Sequence, residues 1–582
     1  MIERFKAAFS TNYEQFRIRL ASPQSEGSTA LLGLLVGLAA GLAIVGFRLG
    51  IDLVQLELVD LETVGTFEEL PALERLLVPL IGGCCLAALF WWLQPSARPV
   101  GIMHVLQRLQ YHEGVLPLKN LVAQFFGAII ALGTGQSMGR EGPGVHIGAG
   151  LASVTVQQFR LPSNTMRALV ASGAAAAIAA SFNTPLAGVA FAMEVILMEY
   201  TIVSFTPVIL AAVSATLVTR AFFGDDSIFQ PPIVGVEGFA EISLIGGMGI
   251  VIGCLAALFT FGVRKLRYYI RDFHIALVII AAAAVVGAIA VFIPEVLGMS
   301  YDTLNIALTA GLSISMALVV LFAKMVTTAI SVAARIPGGL IGPSIVLGGL
   351  AGFSYAHIAD LIFGMSSQTP LFVMLGMGAM MSAVLQAPLA GLLALLELTS
   401  NPQLILPAML VVVSANLTAK ILFKQESVFL MMLRDDGLDY RHDPQDSALR
   451  RVGVAALMNR SFVALQPSLT KLEAGAALEQ TPQWIIVQGE NNMLMPASDL
   501  VRYMEDEAAE EIDLLEIPSQ RRALETVDFG ASLFEARDRL LASGAEAVLV
   551  RRTIAPLSYR NFGVVLKQDI ESGYVFSKPG EV

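Results

Sequence analysis

Long apolar stretches recur along the chain from about Ser28 to about Phe423, separated by short polar stretches. A helix needs roughly 20 apolar residues to cross the hydrocarbon core of a bilayer. Stretches that approach this length include Ala30–Val45, Leu76–Leu93, Ile242–Leu258, Ile275–Ile293 and Leu318–Ala334. Shorter ones, such as Val145–Val154 and Leu186–Met198, predict half-helices buried within protein. The pattern predicts a mainly helical protein that crosses a membrane many times.

Polar sequence at the two ends sets the predicted domain bounds. Residues 1–27 form a basic N-terminal segment, residues 28–433 the membrane domain, residues 434–450 a charged linker, and residues 451–582 a soluble tail. Positive residues beside a first membrane span favour the cytoplasmic side. We therefore expect both termini to be cytoplasmic in a multi-pass protein, located in the inner membrane if the source is bacterial.

The soluble tail is itself duplicated. Near Ala456–Tyr503 and again near Leu514–Tyr574, β-rich runs alternate with amphipathic helical segments. This alternation predicts two α/β modules.

Composition narrows the function classes. Of 582 residues 55% are hydrophobic and 15% charged, and the net charge is −11 with acidic clusters in the tail, which argues against a nucleic-acid partner. The three cysteines lie in apolar stretches, where small core residues are the simplest interpretation, and the six histidines are scattered. We expect no metal site and no catalytic residues, and thus no enzyme.

Two motifs recur in the membrane domain in the same order. Gly139–Pro143 and Gly339–Pro343 both read G-x-x-G-P, at an offset of 343 − 143 = 200. The sequence Pro-Leu-Ala-Gly also occurs twice, and a glutamate, Glu194 or Glu397, follows nine residues after each proline. A duplicated unit is common in transporter folds, where broken helices from the two halves build the site.

The duplicated glycine turns have a chemical use. A turn that opens a membrane helix leaves free N–H groups with partial positive charge, which suit an anion. Glu141 lies within the first turn, where its carboxylate could take the anion's place and act as a gate. The alternatives are that the glycines serve only close packing and that Glu141 is only a helix cap.

The segments GREGPGVHIG, IPGGLIGPS and SFNTPLAGVAFAMEV resemble those of the CLC family of chloride channels and transporters. The resemblance covers nearly the whole chain, and the tail resembles paired CBS modules. It implies an inverted-repeat helical subunit with its own pore, a homodimer in the bilayer, and Glu141 as the external gate. It also implies that chloride is the bound ion and that no cofactor is required. The implied anion-binding residues are Gly139, Arg140, Gly142, Pro143, Gly339, Leu340, Ile341 and Pro343, with Val100 and Phe429 at two further family positions.

Three positions depart from the family pattern. Val100 and Phe429 stand where a serine and a tyrosine usually contact the anion, and Val195 stands where proton-coupled members carry an internal glutamate. Because valine cannot hold a proton, we predict a passive, voltage-gated chloride channel. The alternative is a proton-coupled chloride antiporter of the same fold. A cation carrier is a further rival, but it would need several converging carboxylates.

The tail offers an uncertain nucleotide site. In CBS pairs a hydroxyl residue lies three positions before the acid that holds the ribose. Here those positions, before Asp499 and Asp569, hold Pro496 and Leu566. Binding of an adenine nucleotide stays open, and we expect a dimer-stabilising or regulatory module.

Overall fold

The computed structural model describes residues 26–200, 202–225, 229, 232, 234–235, 238–309, 311–363, 368–438, 444–489, 492–506, 510–555 and 558–576. Most of the predicted N-terminal segment and part of the predicted linker lie outside these residues. Within them, nine helices are long and apolar enough to cross a membrane. They are Gly27–Leu58, Ala72–Trp92, Ser163–Phe182, Ser204–Phe223, Glu241–Ile270, Ile275–Phe292, Ile314–Ala333, Ile341–Phe363 and Pro402–Leu422. Shorter apolar helices lie between them, so the predicted multi-pass membrane protein is confirmed.

The first half of the membrane domain contains eight α-helices. They are α1 (Glu26–Leu53), α2 (Ala72–Trp92), α3 (Gly101–Tyr111), α4 (Leu118–Gly133), α5 (Glu141–Gln158), α6 (Ser163–Phe182), α7 (Pro185–Phe191) and α8 (Ile202–Phe223). The π-helical segments Val54–Leu58 and Ala192–Leu197 extend α1 and α7, and short 3-10 turns occur at Phe67–Glu69 and Pro95–Ala97.

The second half repeats this series with comparable lengths. Its helices are α9 (Phe239–Ile270), α10 (Ile275–Phe292), α11 (Tyr301–Leu308), α12 (Ile314–Ala333), α13 (Ile341–Phe363), α14 (Thr369–Leu385), α15 (Pro388–Thr399) and α16 (Ile405–Leu417), followed by α17 (Val428–Asp435). A π-helical segment, Thr418–Leu422, extends α16, and 3-10 turns occur at Pro294–Val296 and Pro402–Leu404.

Glycine contacts hold equivalent helix pairs of the two halves close together. A Cβ atom on Gly148 of α5 would clash with the carbonyl of Gly173 in α6. The equivalent pair in the second half is Gly348 of α13 and Gly376 of α14, where an added Cβ would clash in the same way. Backbones pack this closely in membranes only where side chains are absent. These glycine-containing helices are thus specified by close packing as well as by apolar length.

Two glutamates tie the halves together reciprocally. Glu194 accepts hydrogen bonds from the N–H groups of Leu389 and Ala390 at 3.0 and 2.8 Å, at the start of α15. Glu397 accepts from Leu186 and Ala187 at 2.9 and 2.8 Å, at the start of α7. Each carboxylate therefore caps the short helix of the opposite half, which is the favourable place for a negative charge.

The tail is an α/β structure built from the predicted duplicated modules. Short helices α18 (Pro444–Arg450) and α19 (Val454–Leu457) precede it. The first module contains β1 (Phe462–Leu465), β2 (Ser468–Thr470), α20 (Lys471–Leu478), β3 (Trp484–Val487), β4 (Met493–Pro496) and α21 (Ala497–Asp506). After β5 (Glu511–Asp513), the second contains β6 (Arg522–Asp528), α22 (Leu533–Ser543), β7 (Ala547–Ala555), β8 (Ser558–Leu566) and α23 (Lys567–Phe576).

The tail strands pair in the same way in both modules. The order in the larger sheet is β1-β3-β4-β6-β7-β8, and β2 pairs with β5 separately. Each module has a parallel pair, β1 with β3 or β6 with β7, followed by an antiparallel pair, β3 with β4 or β7 with β8. The predicted fold class, polytopic helices followed by an α/β tail, is confirmed.

The chain divides into two compact units. One comprises Thr29–Gln157 and Arg167–Tyr440, and the other includes Gln158–Met166 and Arg441–Val582. All the residues of the candidate site belong to the first unit.

Candidate anion-binding site

The two G-x-x-G-P turns meet at one point, and each opens a helix. Gly139 and Gly339 form an antiparallel bridge in which each N–H donates to the other carbonyl at 2.7 Å. Since equivalent residues of the two halves pair with each other, an approximate two-fold axis passes between them. The N-termini of α5 and α13, with N–H groups that have no partner within their own helix, thus lie side by side.

The absence of side chains makes this approach possible. A Cβ atom on Gly142 would lie only 2.6 Å from the Cα atom of Gly339. Two carbon atoms that are not bonded to each other cannot come this close, so a side chain at Gly142 would force the backbone to move. The glycines of the motif therefore set the distance between the two helix ends, as well as the shape of each turn.

The carboxylate of Glu141 occupies the space between the turns. The side chain is fully buried. Its Oε2 accepts a hydrogen bond from the N–H of Gly342 at 3.3 Å, at the start of the opposite helix. Its Oε1 accepts a second from the hydroxyl of Tyr301 at 2.9 Å. A carboxylate in this position makes the contacts that a free anion would make with the N-terminus of α13.

A cavity of about 800 Å³ extends along the site. The predicted residues that line it are Val100, Gly142, Gly339, Leu340 and Phe429. Gly139, Arg140, Ile341 and Pro343 are not among its lining residues. The guanidinium of Arg140 instead donates to the carbonyl of Ser181 at 2.8 Å.

The two apolar substitutions lie at this cavity. Val100 is the residue before α3, and Phe429 is a buried residue in the first turn of α17. Both contribute hydrocarbon where a hydroxyl could have donated to an anion. Val195 is buried in the segment Ala192–Leu197 and does not line the cavity.

Tyr301 is a site residue that the sequence reasoning missed. It begins α11, directly after Ser300, whose backbone is left-handed with a φ of 61°. A signal was present, because Tyr301 lies 301 − 101 = 200 positions after Gly101, the offset that relates the two glycine motifs. Applying that offset to the whole first half would have placed Tyr301 opposite the start of α3.

The membrane domain is similar to known proteins over most of its length. A family model described as "Voltage gated chloride channel" matches residues 80–420. The H(+)/Cl(-) exchange transporter ClcA of Vibrio cholerae serotype O1 (strain M66-2) is 29% identical over 419 residues, which cover 69% of this chain and 88% of that protein. The ClcA exchange transporter of Salmonella agona (strain SL483) is 31% identical over 338 residues, covering 56% of this chain and 72% of that protein.

Solved structures share the fold. A slow cyanobacterial Cl⁻/H⁺ antiporter superposes with a TM-score of 0.63 at 22% identity, covering 70% of this chain and 97% of the antiporter. A eukaryotic CLC transporter superposes with a TM-score of 0.60 at 19% identity, and the match covers 93% of this chain and 97% of the transporter chain. Because it covers 93% of this chain, the match with the eukaryotic transporter includes most of the tail.

The prediction of a passive channel is wrong. The curated relatives are named as proton/chloride exchange transporters, and these findings favour the antiporter that was the alternative. The physical error was to treat one position, Val195, as the sole means of moving a proton on the inner side. A missing carboxylate removes one relay group, whereas proton transfer needs only some connected series of groups.

Proposed function

Because this chain belongs to the voltage-gated chloride channel family, we propose that it is a transporter that exchanges chloride for protons across a membrane. The named activity of its curated relatives supports the exchange of these two ions. The reaction moves ions and requires no cofactor.

The position of Glu141 is the observation that carries this proposal. Its carboxylate bonds to the N–H of Gly342 and the hydroxyl of Tyr301. An anion that takes up the same N–H groups must displace it, and a displaced carboxylate is free to bind a proton. Anion binding and proton binding are therefore linked through one side chain, which is the requirement for exchange.

The remaining residues of the site bind the anion mainly through the backbone. We assign this role to the turns Gly139–Pro143 and Gly339–Pro343, with Val100 and Phe429 as apolar cavity walls. N–H dipoles without a full positive charge give binding that is strong enough to dehydrate chloride and weak enough to release it. The apolar walls lower the affinity further, since they offer no donor.

The test is a flux measurement in sealed liposomes loaded with high chloride and placed in low chloride at equal pH. A potassium ionophore holds the voltage at a value that does not itself drive protons inward. Exchange predicts that chloride efflux drives protons inward, so the external solution becomes alkaline and a protonophore abolishes the change. Chloride efflux without any proton movement would refute the exchange.

We propose that the tail, residues 451–582, is a pair of CBS domains, attached through residues 434–450 to the membrane domain of residues 28–433. Its repeated order of parallel and antiparallel strand pairs supports this. Nucleotide binding has little support, because Asp499 accepts a hydrogen bond from Ser519 at 2.7 Å and Asp569 accepts one from the N–H of Leu566 at 3.1 Å. Equilibrium dialysis of the full protein with labelled ATP would test it.

We further propose a homodimer with one transport path per subunit and both termini in the cytoplasm, in the inner membrane if the source is bacterial. The dimer rests on the family resemblance. Mass measurement in lipid nanodiscs tests it, and an active monomer would refute it.

A further inference from the structure

Arginines converge in a pocket of about 280 Å³ at the place where α9 ends and α10 begins. We call it the arginine pocket. Among the residues that the structure describes, its charged lining residues are Arg264, Arg267, Arg271, Arg335, Asp435 and Asp436. Four positive charges thus face two negative ones, and this excess suits an anionic ligand.

The ion pairs within the pocket leave its arginines with spare donors. Asp436 Oδ1 accepts from Arg267 at 2.8 Å and from Arg335 at 3.0 Å, so one carboxylate oxygen serves two cations. Arg271 pairs with its neighbour Asp272 at 3.6 Å, and both side chains are exposed. Exposed pairs of this kind are weak. The guanidinium of Arg271 is therefore available to another anion.

The most deeply buried of these arginines has an unsatisfied donor. Arg267 is 7% exposed, and its Nε makes no hydrogen bond with any residue that the structure describes. A buried donor that lacks an acceptor is costly. The ion pair with Asp436 uses a different nitrogen of the same guanidinium. An oxygen atom of an anion in the arginine pocket would supply the missing acceptor.

An apolar groove of about 370 Å³ continues from the arginine pocket. The residues that line both are Ile270, Phe273, Val278, Ala333 and Ala334. All the described residues that line the groove are apolar. It continues along α10 from Leu277 to Val285, which is about 12 Å of helix. The pocket and the groove thus form one elongated site with a cationic end and an apolar end.

Exposed aromatic side chains mark the depth of this site in the membrane. Tyr268, Tyr269 and Phe273 are all exposed where α9 ends. Tyrosine rings concentrate where the hydrocarbon core meets the lipid headgroups. The arginine pocket, which Tyr268 also lines, therefore lies at the level of the headgroups, and the groove along α10 lies in the hydrocarbon.

We propose that this site binds an anionic phospholipid, with its phosphate among the arginines and an acyl chain in the apolar groove. Basic pockets between membrane helices are suited to anionic lipid headgroups. The excess of positive charge favours a lipid with net negative charge over a zwitterionic one. The site does not depend on the proposed exchange of chloride and protons.

Attraction of chloride does not by itself explain the arginines. Arg267 and Arg335 line the anion cavity as well as the arginine pocket, but Arg264 and Arg271 are not among the lining residues of that cavity. Chloride also has no use for an apolar groove, whereas a phospholipid needs both ends of the site. Since two arginines face both spaces, a bound phosphate lies beside the anion cavity.

Native mass spectrometry of the full protein in detergent measures the binding. The probe is dioleoyl phosphatidylglycerol. Dioleoyl phosphatidylcholine has the same acyl chains without net charge, and glycerol 3-phosphate has the anionic phosphate without acyl chains. We expect saturable binding of phosphatidylglycerol, and phosphatidylcholine weaker by at least about fivefold, the factor that one basic residue contributes at an anionic lipid.

The headgroup end is tested with Arg271→Gln. This variant should raise the Kd for phosphatidylglycerol about fivefold. Arg434→Gln is the matched control, because Arg434 is 58% exposed against 62% for Arg271 and is not among the residues that line the arginine pocket. Equal weakening in the two variants would indicate general surface charge and overturn the proposed site.

The acyl-chain end is tested with Ala281→Phe. Ala281 is exposed on α10 and lines the groove, so a phenyl ring there fills the groove without entering the core. The Kd for phosphatidylglycerol should rise at least about fivefold, because overfilled space is strongly disfavoured. The control is Ala288→Phe, seven residues further along the same face of α10, exposed and outside the described lining of the groove.

Two further results would overturn the proposal. The first is equal affinity for the two lipids, which would show that the arginines do not select the headgroup. The second is glycerol 3-phosphate binding as tightly as phosphatidylglycerol with no effect of Ala281→Phe, which would show a site for soluble phosphate. Should one variant not fold, the other decides, since each blocks one end of the same site.

Discussion

Replacing Tyr301 by phenylalanine is expected to free the anion site from its tethered carboxylate. The change removes the hydroxyl that donates to Glu141 Oε1 at 2.9 Å and keeps the ring. The ring also packs edge-on against Phe229 with centroids 5.4 Å apart, a contact that phenylalanine preserves. The variant therefore alters one hydrogen bond at the gate and little else.

The size of the effect follows from that single bond. A hydrogen bond to a charged group contributes about 1.5–3 kcal/mol, and about 1.4 kcal/mol corresponds to a tenfold change in an equilibrium constant. Glu141 keeps its second bond, from the N–H of Gly342. The carboxylate should thus be held about 10- to 150-fold less well. Because it competes with chloride for the same N–H groups, the apparent Kd for chloride should fall by up to that factor.

Isothermal titration of the purified protein with chloride measures this. Tyr355→Phe is the control, since its hydroxyl lies against Gly247 and is not bonded to the gate. The difference between the variant and the wild type should shrink at low pH, where protonation releases the carboxylate in both. An unchanged Kd in Tyr301→Phe, in an experiment where Glu141→Gln does tighten binding, would show that the hydroxyl does not hold the gate.

Three further changes test the site and the frame around it. Glu141→Gln should abolish proton movement and leave chloride flux intact in the liposome assay, and proton pumping by this variant would refute the gate. Glu397→Gln should destabilise the protein by about 1–3 kcal/mol, because the N–H groups that open α7 lose a charged acceptor. Glu426→Gln, at an exposed ion pair, should not change the unfolding midpoint in detergent. Gly142→Ala puts a methyl group 2.6 Å from the backbone of the opposite turn and should cost about 1–3 kcal/mol and weaken chloride binding, while Gly46→Ala, with open space around it, should not.

The repeat in the sequence was sufficient to predict that the two glycine turns meet. Two turns at an offset of 200 imply equivalent positions in two related halves, and equivalent residues near a two-fold axis must meet. Gly139 and Gly339 do so. The glycines and prolines of the motif also predicted that helices begin there, because the residues of a turn themselves determine where the following helix starts.

The hydrogen-bond partners of Glu194 and Glu397 could not be predicted from the sequence. The spacing of nine residues indicated that Glu194 and Glu397 are equivalent. It did not indicate that Glu194 caps a helix at Leu389 and Ala390, nearly 200 residues away. A cap of this kind depends on how two helices of different halves approach each other. Both Glu194 oxygens are committed to N–H groups, which makes this side chain a poor candidate for relaying protons.

Whether the protein is a channel or an exchanger likewise depends on which groups contact one another in the folded chain. The identity of residue 195 alone therefore gave the wrong prediction of a channel. In the proposed exchanger, coupling needs a carboxylate that excludes the anion from its site, and the hydrogen bond of Glu141 to Gly342 in the opposite half of the chain supports Glu141 for that role. It also needs a series of groups that brings protons to that carboxylate, and different side chains can build such a series. The residue at a single position therefore cannot decide the mechanism. The decisive measurement is the ratio of proton flux to chloride flux in variants that break these contacts one at a time.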